Sequence, residues 1–206
     1  MSREVKPVEP IKLLKKYKEY PNIIEHSKAV ARVALLIAKL INQHSSSKIN
    51  LEDVKNAALL HDIDKTLTLK ENRKKAERIC EKLNIDKRKI KHAVLGYEIL
   101  KREGLKKYAV PTRQHTYFKI ITSDRPKTLL SKIIYYADKR CEGDKIVPLK
   151  KRLDIWDKRY SKMNDAKTNE LVKKANQEIY KLEKELLKKM GITLKEFDKK
   201  IREAKL

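Results

Sequence analysis

Chain-breaking residues are scarce in this sequence: four glycines and six prolines among 206 residues. Between them, runs rich in Lys, Glu, Leu, Ile and Ala bring their apolar members round at helical spacing. A sheet would need blocks of alternating β-branched and aromatic residues bounded by turns, and none is present. The chain is therefore expected to be all-α, long enough for one domain plus an extension and for a sizeable core.

Periodicity places the elements. Residues 1–10, with Pro7 and Pro10, are expected to form an irregular arm, followed by a short basic helix, Ile11 to Tyr20, that Pro21 ends. Asn22 is the expected N-cap of a long helix to Gln43, whose apolar stripe of Ile23, Val30, Val33, Ile37, Leu40 and Ile41 includes His26. Ser45-Ser46-Ser47 reads as a turn and Asn50 as the cap of a helix with Val54, Ala57 or Ala58 and His61 on its inner face. Thr66 to Lys70 reads as a loop and Glu71 to Leu83 as a charged, solvated helix. Asp86 is expected to cap a helix to Glu103, closed by Gly104, with His92, Leu95, Gly96 and Ile99 on one face.

Leu105 to Val110 reads as a short helix meeting Pro111, with His115 ending a further turn and Tyr117 to Pro126 forming a surface loop. Lys127 to Arg140 is the next helix, placing Leu130, Ile134 and Asp138 four residues apart, and Pro148 starts another to Tyr160 that contains Arg152 and Trp156. From Asn164 or Asp165 a mixed-charge helix runs to Met190, and after Gly191 a last helix is capped by Thr193. Its narrow seam of Leu171, Ala175, Ile179, Leu182 and Leu186 either packs on the main body or pairs with a second copy, so monomer and homodimer both stand open.

The formal charge of +24 attracts polyanions in general. Most of the excess is lysine mixed with glutamate on helices, no helix-turn-helix, zinc-finger or RNA-recognition signature is present, and the aromatics do not interleave with the basic runs. Nucleic acid is therefore a possible partner and not the favoured one. Cys80 and Cys141 lack motif spacing and read as reduced core thiols. No apolar run approaches the roughly 20 residues of a membrane span, and Met1 to Pro7 has no signal-peptide apolar stretch. A soluble cytoplasmic protein without membrane contact is expected.

The stretch Ala57-Ala58-Leu59-Leu60-His61-Asp62-Ile63-Asp64-Lys65 carries the chemistry. Adjacent side chains of a helix point roughly 100° apart, so the His61-Asp62 doublet needs ligands from elsewhere to hold an ion. The chain supplies candidates. Of its five histidines, His26, His61 and His92 fall on inward stripes of three expected helices, His115 ends a short turn, and Asp138 closes an apolar helical run. A single inward histidine is most simply a satisfied core residue, but one metal centre accounts for the whole set. Histidine and carboxylate ligands without thiolates suit iron, manganese, cobalt, nickel or zinc better than calcium, and six ligands fit two ions sharing a carboxylate better than one.

In this order and spacing, His26, the His61-Asp62 doublet and Asp138 resemble the HD-domain metal-dependent phosphohydrolases, and His92 and His115 match the additional histidines of their two-metal members. The likeness runs from Tyr20 to Tyr160. Leu60-His61-Asp62-Ile63-Asp64-Lys65, His92-Ala93 with Gly96, His115-Thr116 and Lys132 to Asp138 look most like the bacterial HD-type diadenosine tetraphosphate hydrolases, and the residues after Asp138 look more like a little-characterised HD branch.

The resemblance implies an HD-domain helical bundle with a metal centre in its core, over residues 1–163, and a C-terminal helical extension, 164–206, packed on it. It implies two divalent ions, iron or manganese before zinc, cobalt, nickel or magnesium: one held by His26, His61, Asp62 and Asp138, the other by Asp62, His92 and His115, with Asp62 bridging. The expected activity is hydrolysis of a nucleotide or other small phosphate ester or anhydride, a dinucleoside polyphosphate first among them, by metal-activated hydroxide attacking phosphorus. Lys65 is the candidate for steadying a phosphate oxygen, against a plain surface role, with Lys139 and Arg140 as further candidates. Asp64 either orients a histidine, assists proton transfer or is simply solvated. Two departures stand out: many HD proteins have glycine where this chain has Asp64, and Tyr117, Phe118 and a basic loop follow His115-Thr116 in place of glycine and methionine. A basic nucleic-acid-binding protein and a slow nucleotide sensor remain the alternatives.

Overall fold

The computed structural model describes residues 9–46, 48–162 and 165–203, so the expectations for the arm before residue 9, for Ser47 and for Asn164 as a cap lie outside the described residues. The architecture is all-α: ten α-helices, short 3-10 turns and one two-residue hairpin among the described residues. At its centre is α2 (Pro21–His44), which opens on a proline already set at helical φ and contains no glycine. Ala29, Ala34 and Ala38 are fully buried on it beside Val30, Val33 and Ile37. Small residues in that stripe let α3 (Leu51–Leu60) lie close, and α2 packs more extensively on α3 than on any other element. Each fully buried Val or Ile contributes about 1.5–3 kcal/mol, so this pair anchors the fold. The Asn50 side chain accepts from Asp53 N and caps α3 as expected.

α1 (Pro10–Lys16) is shorter than its apolar pattern suggested, and the long helix begins at Pro21 with Tyr20, not Asn22, as its cap. The expected loop after Lys65 is wound into 3-10 turns at Thr66–Thr68 and Lys70–Asn72, leading into α4 (Arg73–Leu83). The helix expected from Asp86 does not form. Asp86 caps a single 3-10 turn, Lys87–Lys89, the backbone turns over with Ala93 at φ +66°, and α5 starts only at Val94 and runs to Arg102. His92 thus stands on the turn before the helix rather than on its face.

α6 (Lys106–Gln114) runs through Pro111, where a stop was expected, and Tyr117–Ile121, expected as a surface loop, is a 3-10 turn with Tyr117 and Ile120 buried. α7 (Leu129–Lys139) is capped by the Thr128 hydroxyl accepting from Ser131 N. The short strands β1 (Cys141–Glu142) and β2 (Lys145–Ile146) pair antiparallel around Gly143, at φ +57°. α8 (Leu149–Ser161) follows, then α9 (Ala166–Met190), capped by Asp165, and α10 (Leu194–Glu203), opened by reciprocal Thr193–Glu196 hydrogen bonds.

α9 packs against α2, α7 and α8. Ala175, Ile179, Leu182 and Leu186 are buried there, but Leu171 is 39% exposed and Val172 takes the seam position instead. The same junction holds a buried polar chain: Arg140 donates to Tyr136 Oη at 3.0 Å, to Val147 O at 2.9 Å and to Asp198 at 2.6 Å, while Tyr136 donates to Glu183 at 2.6 Å. No helix among the described residues is long and apolar enough to cross a membrane.

Candidate metal centre

Four histidines and two aspartates converge where α2, α3, the turn before α5, the end of α6 and the end of α7 meet. α3 stops at Leu60, and residues 61–65 wind more tightly, with Ile63 N bonding Leu60 O and Lys65 N bonding Asp62 O. His61 Nε2 nevertheless lies within 3.7 Å of Asp62 Oδ2, with the His61 ring held by the Ala58 carbonyl, although the two residues are neighbours in sequence. Asp62 is 3% exposed and faces both ways. Its Oδ2 lies 3.7 Å from His61 and 3.8 Å from His26, and its Oδ1 lies 3.1 Å from His115 and 3.3 Å from His92. Asp138 Oδ1 closes the first group, 3.1 Å from His26 Nε2 and 3.7 Å from His61 Nε2.

Every imidazole is tied at its other nitrogen. His61 Nδ1 donates to Ala58 O at 2.7 Å, His115 Nδ1 to Thr112 O at 2.6 Å and His26 Nδ1 to Gly143 O at 2.8 Å. A carbonyl can only accept, so these three rings carry their proton on Nδ1 when neutral and turn the Nε2 lone pair inward. His92 Nδ1 lies 3.1 Å from Asp64 Oδ1, and Asp64 Oδ2 accepts from Gly96 N at 2.9 Å. Such outer bonds are how proteins aim histidine ligands.

The electrostatics suit a cation. Burial alone would lift the Asp62 carboxyl, but the surrounding histidines and the Lys65 ammonium hold it well below the usual range. Asp138 is likewise pulled well below its ordinary value, against burial, chiefly by Lys139 and then by His26 and His61. Burial pushes His115 down to about 4, which keeps it neutral. His26 and His92 move up instead: burial lowers them, but Asp138 and Asp62 around His26, and Asp64 and Asp62 around His92, outweigh it. His61 Nε2 and Asp62 Oδ1 are buried without a hydrogen-bond partner. Lone pairs facing carboxylate oxygens in a closed space are unfavourable unless a cation lies between them. The donor set therefore fits divalent metal, with His26, His61 and Asp62 as one group able to hold an ion and Asp62, His92 and His115 as another.

The family model described as "HD domain" matches residues 23–142, a span that contains all six of these side chains. The chain belongs to the HD domain family. Over 159 residues it is 30% identical to the tRNA (cytidine(56)-2'-O)-methyltransferase of Thermoplasma volcanium, a match covering 71% of this chain and 40% of that protein. The chain thus spans about two fifths of the length of this curated relative. The likeness lends no support to the diadenosine tetraphosphate hydrolase branch. No solved structure matches.

The remaining residues singled out in the sequence of this HD domain fall in different places. Lys65 reaches the mouth, its ammonium 3.3 Å from His92 Nε2 and 3.9 Å from Asp62 Oδ2. Lys139 is 1% exposed and donates to Asp138 Oδ2 at 2.6 Å and to His115 O at 2.7 Å, so it braces two of the six. Burial pulls its pKa down despite Asp138. Arg140 does not join the site; one residue further round the end of α7, its guanidinium points into the polar chain with Tyr136 and Asp198. Asp64 is fully buried, not solvated.

Two lobes open beside the cluster, both lined by His26, Asp62, Lys65 and Arg152. One, of about 340 Å³, is walled by Tyr117, Phe118, Trp156, Arg159 and Tyr160. The other, of about 410 Å³, is walled by Asn22, Ile23, Glu25, Gly143 and Asp144. The α8 side chains and the Gly143 carbonyl carried no assigned role in the sequence reading. The spacing of Arg152, Trp156, Arg159 and Tyr160 on one helical face was the signal available for the former; two-residue strands leave no pattern to find the latter.

Proposed function

We propose that this protein is a metal-dependent phosphohydrolase acting on a nucleotide or another small phosphate ester or anhydride. The observation that carries the reading is Asp62, whose two oxygens each face a pair of histidines, an arrangement suited to bridging two ions. In this reading His26, His61, Asp62 and Asp138 hold one divalent ion and Asp62, His92 and His115 the other; the imidazole and carboxylate donors suit iron, manganese, cobalt, nickel or zinc, and the family resemblance puts iron or manganese first. Bound there, divalent metal supplies a water acidic enough to ionise near neutral pH and a Lewis acid for a phosphoryl oxygen.

The protein's own groups do the positioning. Lys65, at the mouth, holds a non-bridging phosphate oxygen. Lys139 fixes Asp138 through its second oxygen, leaving Oδ1 turned to the histidines. Asp64 orients His92. The closed surroundings of His61, which is fully buried, limit bulk water on the inner side.

Metal analysis of anaerobically purified protein, with phosphate release from a nucleotide panel in added manganese or ferrous iron, tests the proposal. About two metals per chain and turnover of one compound are expected, both lost in His61→Ala. Full metal content and activity in His61→Ala would overturn it. A second reading has its own support: the +24 charge and the tRNA-modifying relative favour an RNA partner, and a steep loss of RNA affinity with salt, without turnover of any nucleotide, would select it.

A further inference from the structure

Helix α8 lies beyond the residues matched by the HD model, yet it forms one wall of the lobe beside the metal-ligand cluster. Arg152, Trp156, Arg159 and Tyr160 recur at i, i+4, i+7 and i+8, so they share one face. The Trp156 ring is parallel to Tyr117 at 4.9 Å and 6° and to Tyr160 at 5.7 Å and 16°, and Phe118 meets Tyr160 at 4.9 Å. The guanidinium groups of Arg152 and Arg159 lie 5.2 and 5.3 Å from the Trp156 ring centre.

Packing explains part of this cluster. Tyr117 is 3% exposed, and its hydroxyl donates to Asn176, so it pins the 3-10 turn to α9. Packing does not explain two atoms. Arg152 Nε and Trp156 Nε1 are buried and have no hydrogen-bond partner, although both residues line the lobe. Buried N–H groups in folded proteins are nearly always paired, so both call for an acceptor from outside the chain. Arg152 lines both lobes together with His26, Asp62 and Lys65, which places its acceptor beside the cluster and suits an anionic oxygen. Trp156 lines only the aromatic lobe, whose roughly 340 Å³ matches a small ligand-sized unit.

We propose that α8 is a nucleotide-reading wall. Arg152 takes a phosphate oxygen next to the metal-ligand cluster, while Trp156, Tyr160 and Phe118 form the aromatic wall against which a single nucleobase lies and Trp156 Nε1 donates to an oxygen of the same nucleotide. The second lobe, walled by Asn22, Ile23, Glu25, Gly143 and Asp144, has no Trp, Tyr or Phe in its lining, and its one ring, His26, belongs to the metal-ligand cluster, so the site reads one base and not two. This favours a nucleotide with one base over the dinucleoside polyphosphate that heads the sequence-based expectations. It rests on the phosphohydrolase reading and names that site's substrate class.

Trp156 is the chain's single tryptophan, so its fluorescence reports directly on the wall. The metal-loaded full chain is titrated with ribose 5-phosphate, inorganic triphosphate and the four common nucleoside 5′-mono- and triphosphates, with phosphate release followed in parallel. At least one nucleotide is expected to quench Trp156 and to bind about tenfold or more tightly than its base-free counterpart. By calorimetry, Trp156→Ala should abolish that advantage with base-free affinity held within about twofold, and Arg152→Ala should weaken nucleotide and base-free ligand by a similar factor, about tenfold. If Trp156→Ala does not fold, Trp156→Phe and Tyr160→Leu decide, with the base advantage kept in the first and reduced in the second. Equal affinity for nucleotides and their base-free counterparts in the unmodified protein overturns the proposal, as does a folded Trp156→Ala with an unchanged base advantage. Base-dependent binding without phosphate release under any metal refutes the hydrolase reading and leaves the subsite standing. Equal hydrolysis of ribose 5-phosphate and nucleotides, without base-dependent binding, refutes the subsite and leaves the hydrolase reading standing.

Discussion

Asp64→Asn separates an orienting role from a proton-transfer role for the residue behind the metal-ligand cluster. In the native protein both Asp64 oxygens accept: Oδ1 faces His92 Nδ1 at 3.1 Å and Oδ2 takes Gly96 N–H at 2.9 Å. The second bond satisfies one of the free N–H groups in the first turn of α5, which Ala93, having no polar side chain, cannot cap. Asparagine keeps one acceptor and replaces the other by an NH₂ group. While His92 Nδ1 carries a proton, one donor then faces another whichever way the amide turns, at a side chain that is itself fully buried.

A buried donor left unpaired costs about 1–3 kcal/mol. At about 2–4 °C per kcal/mol for a chain of this size, metal-stripped Asp64→Asn should melt about 2–12 °C below the parent. On the two-ion proposal, loss of the His92 orientation should weaken the ion assigned to Asp62, His92 and His115 by about 10–100-fold, while the ion assigned to His26, His61, Asp62 and Asp138 stays close to parental affinity. Calorimetric melting after chelation and a metal titration with competition give both quantities. Excess metal should restore most of the turnover if Asp64 only orients. An unchanged melting temperature with two unchanged metal affinities would refute the reasoning. A variant that keeps both metals but loses turnover and one limb of its pH profile would instead put Asp64 in proton transfer.

Gly96→Ala attacks the same contact from the opposite side. Its Cβ would stand 2.9 Å from Thr112 Cγ2 and 3.1 Å from Asp64 Cγ, so overpacking of about 1–3 kcal/mol should exceed or cancel the roughly 1 kcal/mol gained in helix propensity; denaturant melts reading a clear stabilisation would refute the tight fit. Glu19 is 6% exposed, accepts from Thr66 N at 3.0 Å and is raised to about 8, mainly by burial. Because its folded pKa lies above its unfolded value near 4.5, the native state holds the extra proton, so this group's contribution is intact below about pH 4.5 and declines as pH rises towards 8. Glu19→Gln should therefore be near neutral at pH 5 and stabilising by up to about 5 kcal/mol at pH 9, and chemical denaturation showing equal differences at both pH values would refute it.

The helices were legible in the sequence because a 3.6-residue repeat is a local property, and α2, α3, α7 and α9 kept the apolar stripes their spacing implied. Positions one step off a stripe were less secure, as the exchange of Leu171 for Val172 on α9 shows, since neighbouring residues are 100° apart and tertiary packing chooses between them. His92 was read as inward for the wrong local reason. It faces the cluster from a turn, held by Asp64, and no repeat along residues 86–103 could show that a non-glycine residue, Ala93, would take φ +66° and delay the helix. Direction was also hidden at the end of α7. Asp138, Lys139 and Arg140 are consecutive, but one faces the histidines, one braces it from behind and one joins α10.

The doublet shows what spacing alone leaves open. On a continuous helix His61 and Asp62 would diverge by about 100°, which makes them poor partners for one ion. α3 ends at Leu60 and the next five residues pass through tight turns with i to i+3 bonds, His61 itself keeping φ −61° and ψ −29°. The tips of the two side chains nevertheless come within 3.7 Å, Asp62 Oδ1 faces His92 and His115 on the far side, and Asp64 lies against Gly96. A run of four residues thus supplies an inner histidine, a carboxylate that faces both pairs of histidines and an outer brace. Its importance lies in where the side-chain tips converge: the end of α3 meets the turn before α5 and the end of α6 at one centre.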